Sequence, residues 1–333
     1  MQKANIAIIG IGRIGKIHLK NILRNFPGAN VVAVADNHYP AEEFRKEFQG
    51  IIFSSDPAEV IALPNVDAVI ICTPTSSHAA LIDLVIRSGK HLFCEKPVDL
   101  SLKRTGALVE KAKAAGVKMM LGFNRRFDPD FMQARKSIQA GRIGDIQIVK
   151  ITSRDPGLPP LDYIKNSGGL FMDMAIHDFD MARYLMGKDV KEVYARGLVL
   201  VDKQVGEAGD IDTALTTLLF EDGTYAVIDN SRKAVYGYDQ RVEVFGSKGM
   251  IKVENNLHNQ NVVFDADGIH AALPLDFFMD RYAASYLKEM QHFIEALINN
   301  APLPVSCEDG LKATVIAMAA KKSADTGRPV AIS

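Results

Sequence analysis

Short apolar runs alternate with segments of helical length over the first third of the chain. The runs that predict buried strands are residues 5–9, 31–35, 51–53, 66–73, 91–94 and 117–121. Aliphatic residues dominate them, as expected of strands covered on both faces of a parallel sheet. Strands that alternate with helices in this way predict an α/β domain with a doubly wound parallel sheet of the Rossmann type. We place this domain at residues 1–122.

The pattern changes beyond residue 127. Apolar and polar residues now alternate, and several strand-like runs follow one another without long helices between them. The predicted strands are residues 146–153, 190–201, 213–220, 225–230, 241–245, 250–254 and 262–264, and the predicted helices are 128–140, 168–186, 280–299 and 309–326. This order predicts an α+β domain with an open, largely antiparallel sheet at residues 123–333. The C-terminal helix is a candidate to pack back on the first domain.

The first predicted strand leads into Gly10-Ile11-Gly12-Arg13-Ile14-Gly15, a complete G-x-G-x-x-G motif. In a Rossmann domain the first glycine permits a sharp turn, the second lets a pyrophosphate approach the backbone, and the third lets the helix pack on the sheet. Asp36 ends the next predicted strand, where a carboxylate can accept a hydrogen bond from a ribose 2′-OH and repel a 2′-phosphate. The motif therefore predicts NAD as the cofactor, in preference to NADP.

Further polar residues follow the ends of the other predicted strands. Ligands of such sheets bind beyond the carboxyl ends of the strands, so we expect these residues to converge there. Together with the glycine motif, the predicted cofactor-binding residues are Gly10, Gly12, Arg13, Ile14, Gly15, Asp36, Thr73, Pro74, His78, Glu95 and Lys96. His78 also fits a loop histidine whose hydrogen bonds are satisfied within the protein.

The predicted helix at residues 168–186 places Asp173 and His177 on one face, because residues four apart are neighbours on a helix. A carboxylate beside an imidazole fixes its tautomer and raises its basicity, as a general base requires. A solvated polar face would show the same spacing. Lys96 follows a predicted strand and precedes a proline, where its ammonium can stabilise an alkoxide, although a surface lysine fits as well. Asp178 falls in the apolar arc of this helix, without an explanation at this level.

Length and charge narrow the classes of function. The chain has 333 residues and a formal net charge of −1, which allows two domains and favours neither nucleic acid nor an anionic membrane as a partner. No apolar stretch approaches the ~20 residues of a membrane span. The 3 cysteines form no C-x-x-C pair and no Cys/His cluster, so we expect no metal site and a reducing, cytoplasmic setting.

Four motifs together resemble one known family. They are Gly10–Gly15, Thr73-Pro74 with His78, Glu95-Lys96-Pro97, and Gly168-Gly169 followed by Asp173 and His177-Asp178. The chain resembles the glucose–fructose oxidoreductase/inositol dehydrogenase/rhizopine-catabolism (Gfo/Idh/MocA) family over essentially its whole length. The resemblance implies a Rossmann domain followed by an open antiparallel sheet that mediates homo-oligomers, often tetramers.

The resemblance also implies a reaction. Residues 168–183 are similar to the same segment of inositol 2-dehydrogenases, which implies NAD-dependent oxidation of myo-inositol to 2-keto-myo-inositol (scyllo-inosose). By the same resemblance His177 is the base, Asp173 orients it, and Lys96 stabilises the reacting oxygen. The implied substrate-binding residues are Lys96, Arg126, Asp155, Asp173, His177 and Tyr236.

Three other functions remain open. An NAD-dependent dehydrogenase of scyllo-inositol, of another cyclitol or of an aldose would use the same residues. A non-enzymatic NAD-sensing regulator with this fold would not need the complete set of Lys96, Asp173 and His177. A reductase of a smaller acid would not usually combine Glu-Lys-Pro with Asp-x-x-x-His. Substrate identity therefore rests on analogy, since a fold hosts many functions.

Overall fold

The structure, a computed structural model, describes residues 3–332 and forms two compact units. Unit 1 comprises Met1–Asn124 and Ser285–Lys312, and unit 2 comprises Arg125–Ala284 and Ala313–Ser333. The segment from residue 285 to residue 312 thus belongs to unit 1, although it follows most of unit 2 in the chain. Across residues 3–332, no helix combines the length and the apolar character needed to cross a membrane.

Unit 1 contains the predicted parallel sheet. Its first elements are β1 (Ala4–Ile9), α1 (Arg13–Asn25), β2 (Ala29–Ala35), α2 (Ala41–Glu47), β3 (Ile52–Ser54), α3 (Pro57–Ile61), β4 (Ala68–Ile71), α4 (Thr75–Arg87), β5 (His91–Cys94), α5 (Leu102–Ala114) and β6 (Met119–Leu121). The strands are parallel in the order β3-β2-β1-β4-β5-β6. The order reverses between β1 and β4, so the carboxyl ends of these two strands form the switch point at which such sheets bind ligands. The predicted doubly wound fold is confirmed.

Unit 2 follows a short 3-10 helix at Asn124–Phe127. The remaining elements are α6 (Pro129–Gln139), β7 (Ile146–Arg154), α7 (Leu161–Asn166), α8 (Gly169–Asp173), α9 (Ile176–Met186), β8 (Val190–Leu198), α10 (Lys203–Glu207), β9 (Thr213–Phe220), β10 (Tyr225–Ser231), β11 (Asp239–Gly246), β12 (Gly249–Val253), β13 (Val262–Asp265), β14 (Gly268–Ala271), α11 (Phe278–Arg281), α12 (Ala283–Ile298), α13 (Cys307–Thr326) and β15 (Val330–Ala331). Most of α12 and the first turns of α13 belong to unit 1.

The large sheet of unit 2 has the order β12-β11-β7-β10-β9-β8-β15. Its neighbours are antiparallel except for β7 and β10, which are parallel and therefore end at the same edge. Helix α9 packs against β7, and the residues on that face are buried. The opposite face exposes apolar side chains, namely Ile148, Leu215, Tyr225 and Phe245. The predicted open, largely antiparallel sheet is confirmed.

The predicted single helix at 168–186 is wrong, because the structure divides it into α8 and α9. The N–H groups of Met174 and Ala175 both donate to the carbonyl of Leu170, at 3.0 and 2.9 Å. Two donors on one carbonyl insert an extra residue into the helical ladder, which interrupts it between Asp173 and His177. The uniform helical spacing used to place these two side chains on one face therefore does not apply across this break.

Candidate active site

The glycine turn follows β1 at the switch point of unit 1. Gly10 has φ +84°, and a Cβ there would lie 2.9 Å from the carbonyl of Cys72 in the loop after β4. A Cβ on Gly15 would lie 2.0 Å from the carbonyl oxygen of Gly10. A Cβ on Gly12, in contrast, would meet no described atom within 4 Å. Packing within the protein thus explains two glycines, whereas the open space at the third fits the approach of a pyrophosphate.

Helix α1 begins directly after this turn, at Arg13. Its N-cap is Gly12, without a side-chain cap from any described residue, and its first turn contains no acidic residue. The positive end of the helix dipole is therefore available to an anion at the turn. This arrangement fits the predicted placement of a dinucleotide phosphate beside Gly12.

The carboxylate of Asp36 fastens the turn to the loop after β2. Its Oδ2 accepts from the N–H of Ile11 at 2.8 Å, and its Oδ1 accepts from the N–H groups of His38 and Tyr39, each at 2.8 Å. A carboxylate oxygen has two acceptor positions, so Oδ2 can still accept one more hydrogen bond. The structure thus fits a ribose hydroxyl at Asp36 and shows a second task for it, because it holds the glycine turn in place.

The loops after β4 and β5 are joined by His78. Its ring is buried, with Nδ1 2.8 Å from the carbonyl oxygen of Pro97 and Nε2 2.8 Å from that of Thr73. Both ring nitrogens are thus used inside the protein, which favours the loop-histidine interpretation. Lys96 is half-buried, and its peptide bond to Pro97 is cis. Since β5 ends at Cys94, Lys96 lies just beyond the carboxyl end of that strand, at the edge where ligands of such sheets bind.

In unit 2, the carboxylate of Asp173 is held on both sides. The hydroxyl of Tyr163 donates to Oδ1 at 2.7 Å, and Nη1 of Arg232 donates to Oδ2 at 3.2 Å. The Arg232 side chain is buried, and its Nη2 lies 3.5 Å from Oδ2 of Asp210. Asp210 in turn accepts from the N–H of Leu170 in α8 at 3.0 Å. Asp173 at the end of α8 is thus fixed by a chain of polar contacts.

His177 lies in the first turn of α9 and is half-buried. Arg125 pairs with the fully buried Asp178, and Arg126 pairs with Asp180 through Nε and Nη2, at 2.8 and 2.6 Å. Burial raises the pKa of Asp178, and the charge of Arg125 opposes that rise. The two ion pairs anchor α9, so the structure explains the acid that falls in its apolar arc.

Asp178 has a further partner on the sheet. Its Oδ2 accepts from Nδ2 of Asn230 in β10 at 2.8 Å.

Arg126, which was predicted to bind substrate, donates to Asp180 through two guanidinium nitrogens, and its Cζ lies 5.3 Å from the ring centroid of Tyr184. The contact of Arg126 with substrate stays a prediction.

Asp155 follows β7, and Arg232 follows β10, at the shared edge of the two parallel strands. The N–H of Asp155 donates to the carbonyl of Ser231 at 2.9 Å, and its own carbonyl accepts from the N–H of Ala234 at 2.6 Å. Burial raises the pKa of Asp155 to about 6, an effect that the charge of Arg232 opposes and that of Asp173 increases. These three charged side chains therefore share one electrostatic environment.

Tyr236 belongs to a separate network in the next loop. Its hydroxyl donates to Oδ2 of Asp239 at 2.6 Å and accepts from Nη1 of Arg154 at 3.0 Å. Burial and the hydrogen bond to Asp239 raise the pKa of Tyr236. These two hydrogen bonds orient the hydroxyl, and the role of Tyr236 in lining a polyol pocket stays a prediction.

The sequence did not identify Tyr163, Asp210 or Arg232 as site residues. Arg232 directly follows β10 and Asp155 directly follows β7, and these two strands are parallel neighbours. In unit 1 we expected residues at the carboxyl ends of parallel strands to converge, and the same rule would have indicated Arg232. Tyr163 and Asp210 carried no such signal, since each comes from a loop or a short helix. Only the folded chain brings them to Asp173.

Comparisons with known proteins show the family to which both units belong. An oxidoreductase-family NAD-binding Rossmann fold matches residues 4–123, and an oxidoreductase-family C-terminal alpha/beta domain matches residues 135–332. Myo-inositol 2-dehydrogenase of Thermotoga maritima is 47% identical over 98% of this chain and 97% of its own. Inositol 2-dehydrogenase of Rhizobium meliloti is 46% identical over 98% of each chain.

A solved structure is similar over the full length as well. Scyllo-inositol dehydrogenase from Lactobacillus casei, with bound NAD(H) and scyllo-inositol, superposes with a TM-score of 0.91 and is 32% identical over 99% of each chain. The similarity thus extends over both units and includes proteins whose names specify different inositol isomers.

Proposed function

The chain belongs to the Gfo/Idh/MocA family of NAD-binding oxidoreductases, and from this premise we propose that it oxidises myo-inositol to 2-keto-myo-inositol (scyllo-inosose) with NAD. The observation that carries the proposal is the identity of 46–47% to two inositol 2-dehydrogenases over 98% of the chain. The complete set of Lys96, Asp173 and His177 supports an enzyme over a sensor that only binds the dinucleotide.

The residues of unit 1 fit the cofactor. The backbone at Gly12 and the N-terminus of α1 would hold the pyrophosphate, and Oδ2 of Asp36 would accept from a ribose hydroxyl. Bound NAD would supply the acceptor for the hydride of the carbinol carbon. Asp36 would also repel a 2′-phosphate, which supports NAD over NADP.

Three side chains would act on the reacting hydroxyl. His177 accepts its proton, and Lys96 stabilises the negative charge that develops on its oxygen. Asp173 orients His177 and stabilises the imidazolium that forms. Tyr163 and Arg232 each donate one hydrogen bond to an oxygen of Asp173, so partners other than His177 hold this carboxylate in place.

The remaining predicted residues would recognise the other hydroxyl groups of the polyol. Asp155 is a hydrogen-bond acceptor in its ionised form, and it shares the environment of Arg232 and Asp173. Arg126 and Tyr236, which belong to the same unit, would line the polyol pocket beside Asp155. A scyllo-inositol dehydrogenase is the second candidate, because the Lactobacillus casei enzyme matches 99% of the chain, although at a lower identity of 32%.

The test is formation of NADH from NAD, or of NADPH from NADP, by the purified protein with a panel of myo-inositol, scyllo-inositol, D-chiro-inositol, glucose and xylose. The expected result is activity highest with myo-inositol and NAD. Activity confined to scyllo-inositol or an aldose would keep the residue roles and replace the substrate. No activity with any polyol, while NAD still binds, would favour a regulator that senses NAD.

The open face of the unit 2 sheet supports a proposed homotetramer. Ile148, Leu215, Tyr225 and Phe245 are each at least 38% exposed on this face. Ile148 pairs in register with both Tyr225 and Phe245, so these three side chains form one exposed apolar patch, and such patches are typical of protein interfaces. Light scattering of the wild type and of Leu215→Asp tests this, with a smaller particle expected for the variant.

The free thiols of Cys72, Cys94 and Cys307 support the proposed cytoplasmic setting in inositol catabolism.

A further inference from the structure

A buried polar cluster lies within unit 1. It consists of His18 from α1, Glu95 directly after β5, and Glu289 from α12. Nε2 of His18 lies 3.0 Å from Oε1 of Glu95, and one polar atom from each of the three side chains lies within 4.8 Å of those of the other two. His18 and Glu289 are fully buried. The proposed function assigns no role to His18 or Glu289, and no motif in the sequence connects them to Glu95.

Glu289 is the unusual member of this cluster. Neither of its carboxylate oxygens accepts a hydrogen bond from any residue between 3 and 332. The titratable groups around it are His18 on α1, Glu95 after β5, Cys72 after β4, and Tyr286 on α12 itself. His18 directs Nε2 toward Glu95, so it does not neutralise Glu289 through that nitrogen.

Two carboxylates this close in a buried site do not both ionise, because their charges repel and neither is solvated. Burial and the charge of Glu95 raise the pKa of Glu289 well above its ordinary value. Glu95 is the member that retains partial solvent contact and a hydrogen bond. The shared proton therefore belongs on Glu289.

We propose that Glu289 is protonated in the folded enzyme and donates a hydrogen bond to Glu95, so that it acts as a positioning residue for the adjacent Lys96. Glu95 is then held between Glu289 and His18. The backbone at Gly122 packs against another side of the Glu95 carboxylate, since a Cβ on Gly122 would lie 2.7 Å from Oε2 of Glu95. The backbone N–H of Glu95 donates to the carbonyl oxygen of Ile71 at 3.0 Å. Both the side chain and the main chain of Glu95 are therefore fixed, one residue before Lys96.

The effect on Lys96 rests on the proposed function, whereas the protonation of Glu289 does not. A buried acid with a raised pKa stabilises the fold at low pH, and this stability is lost as the pH rises from the unfolded-state pKa toward the folded-state value. The melting temperature of Glu289→Gln, which has no proton to lose, should therefore increase relative to wild type as the pH rises from about 5 to about 9. Glu295→Gln, an exposed glutamate on the same helix, is the matched control and should show a constant difference.

Measurements of kcat distinguish a positioning role of Glu289 from an effect on stability alone. Glu289→Gln keeps an N–H donor for Glu95 and should retain kcat within about twofold, whereas Glu289→Met removes the donor at similar length and should lose kcat about tenfold. The KM for NAD should change less than kcat in both variants. Equal kcat values in the two variants would refute the positioning role.

The protonation has its own decisive outcomes. A melting-temperature difference that does not vary with pH would overturn the proposal, because it would mean that Glu289 is ionised. A rise in melting temperature when Zn²⁺ is added to chelator-treated wild type, but not to Glu289→Gln, would replace it with a metal site. Should Glu289→Gln not fold, the infrared carbonyl band of a protonated carboxylic acid at pH 8 is compared in wild type and Glu289→Asp. The absence of that band from wild type would also overturn the proposal.

Discussion

The dinucleotide edge of unit 1 and the α9 region of unit 2 are built in different ways. In unit 1 the backbone forms the site, because the turn Gly10–Gly15 supplies space and N–H groups and Asp36 binds three further N–H groups. In unit 2 side chains form the site. Asp173, Asp178 and Asp180 are each held by an arginine that is buried in the folded chain.

This difference determines how far apart the cooperating residues lie in the sequence. Ile11 and Asp36 are 25 residues apart, whereas the ion pairs of Asp178 and Asp180 join residues 53 and 54 apart. A backbone-built site tolerates most side-chain changes and fails when a glycine gains a Cβ. A site built from side chains depends on each buried partner, because removing one leaves the other charge unpaired.

The largest expected effect is on turnover. His177→Ala and Lys96→Ala should each lower kcat by about 10²–10⁴-fold, because each removes a group that we propose to act on the reacting oxygen. The affinity for NAD, measured by isothermal titration calorimetry, should remain close to wild type. Lys103→Ala, an exposed lysine, is the control. Near-normal turnover in either variant would remove that residue from the proposed mechanism.

The next effect tests whether side-chain pairs hold unit 2. Asp178→Ala leaves the buried Arg125 unpaired and should lower the free energy of unfolding by about 3–5 kcal/mol. Asp229→Ala removes the partner of Arg154 from a partly exposed pair and should have an effect of at most about 1 kcal/mol. Urea denaturation measures both values. Equal losses would show that burial does not distinguish the two pairs.

Two glycines test the backbone-built edge. Gly15→Ala places a Cβ 2.0 Å from a carbonyl oxygen and should destabilise unit 1 by about 1–3 kcal/mol. Gly12→Ala meets no described atom, so its melting temperature should match wild type while its Kd for NAD rises about tenfold, a change of about 1.4 kcal/mol. Calorimetry and thermal unfolding separate the two effects. Unchanged NAD affinity in Gly12→Ala would show that the pyrophosphate does not approach this turn.

The pH dependence of stability should distinguish Asp155 from an exposed acid. Its pKa is raised to about 6, so the neutral form stabilises the fold at low pH and that contribution is lost as the pH rises from about 4 to about 6. Asp155→Asn should therefore become more stable than wild type above pH 6, by about 2 kcal/mol at most because the side chain is partly exposed. Asp162→Asn, an exposed acid in α7, is the control. A difference that does not vary between pH 4 and pH 7 would contradict the raised pKa.

The smallest expected effect concerns the support of Asp173. Tyr163→Phe removes one hydrogen bond and should lower kcat by about fivefold, equivalent to about 1 kcal/mol, while the fold is retained. Tyr225→Phe on the open sheet face should leave kcat unchanged. Steady-state kinetics with saturating NAD measures both. A larger loss in Tyr225→Phe than in Tyr163→Phe would contradict the role of Tyr163.

Much of the fold followed from local patterns. Apolar runs placed β1, β2, β4 and β5 within a few residues, and β9 coincides with its prediction at residues 213–220. The predicted helix 168–186 was wrong, because the carbonyl of Leu170 accepts two N–H groups and this irregularity has no periodic signature. The predicted family was confirmed by matches over both units.

The sequence alone determined the parts of this protein that short segments specify: the parallel sheet, the glycine turn, the acid at Asp36 and the residues that follow strand ends. Steric limits on backbone turns and the period of buried positions act over a few residues, so they can be read from neighbours. Only the tertiary structure decided that Arg232 and Tyr163 hold Asp173, that Arg125 neutralises Asp178, and that Glu289 faces Glu95. Those choices depend on which distant side chains share one buried space, because unpaired charge is unstable there.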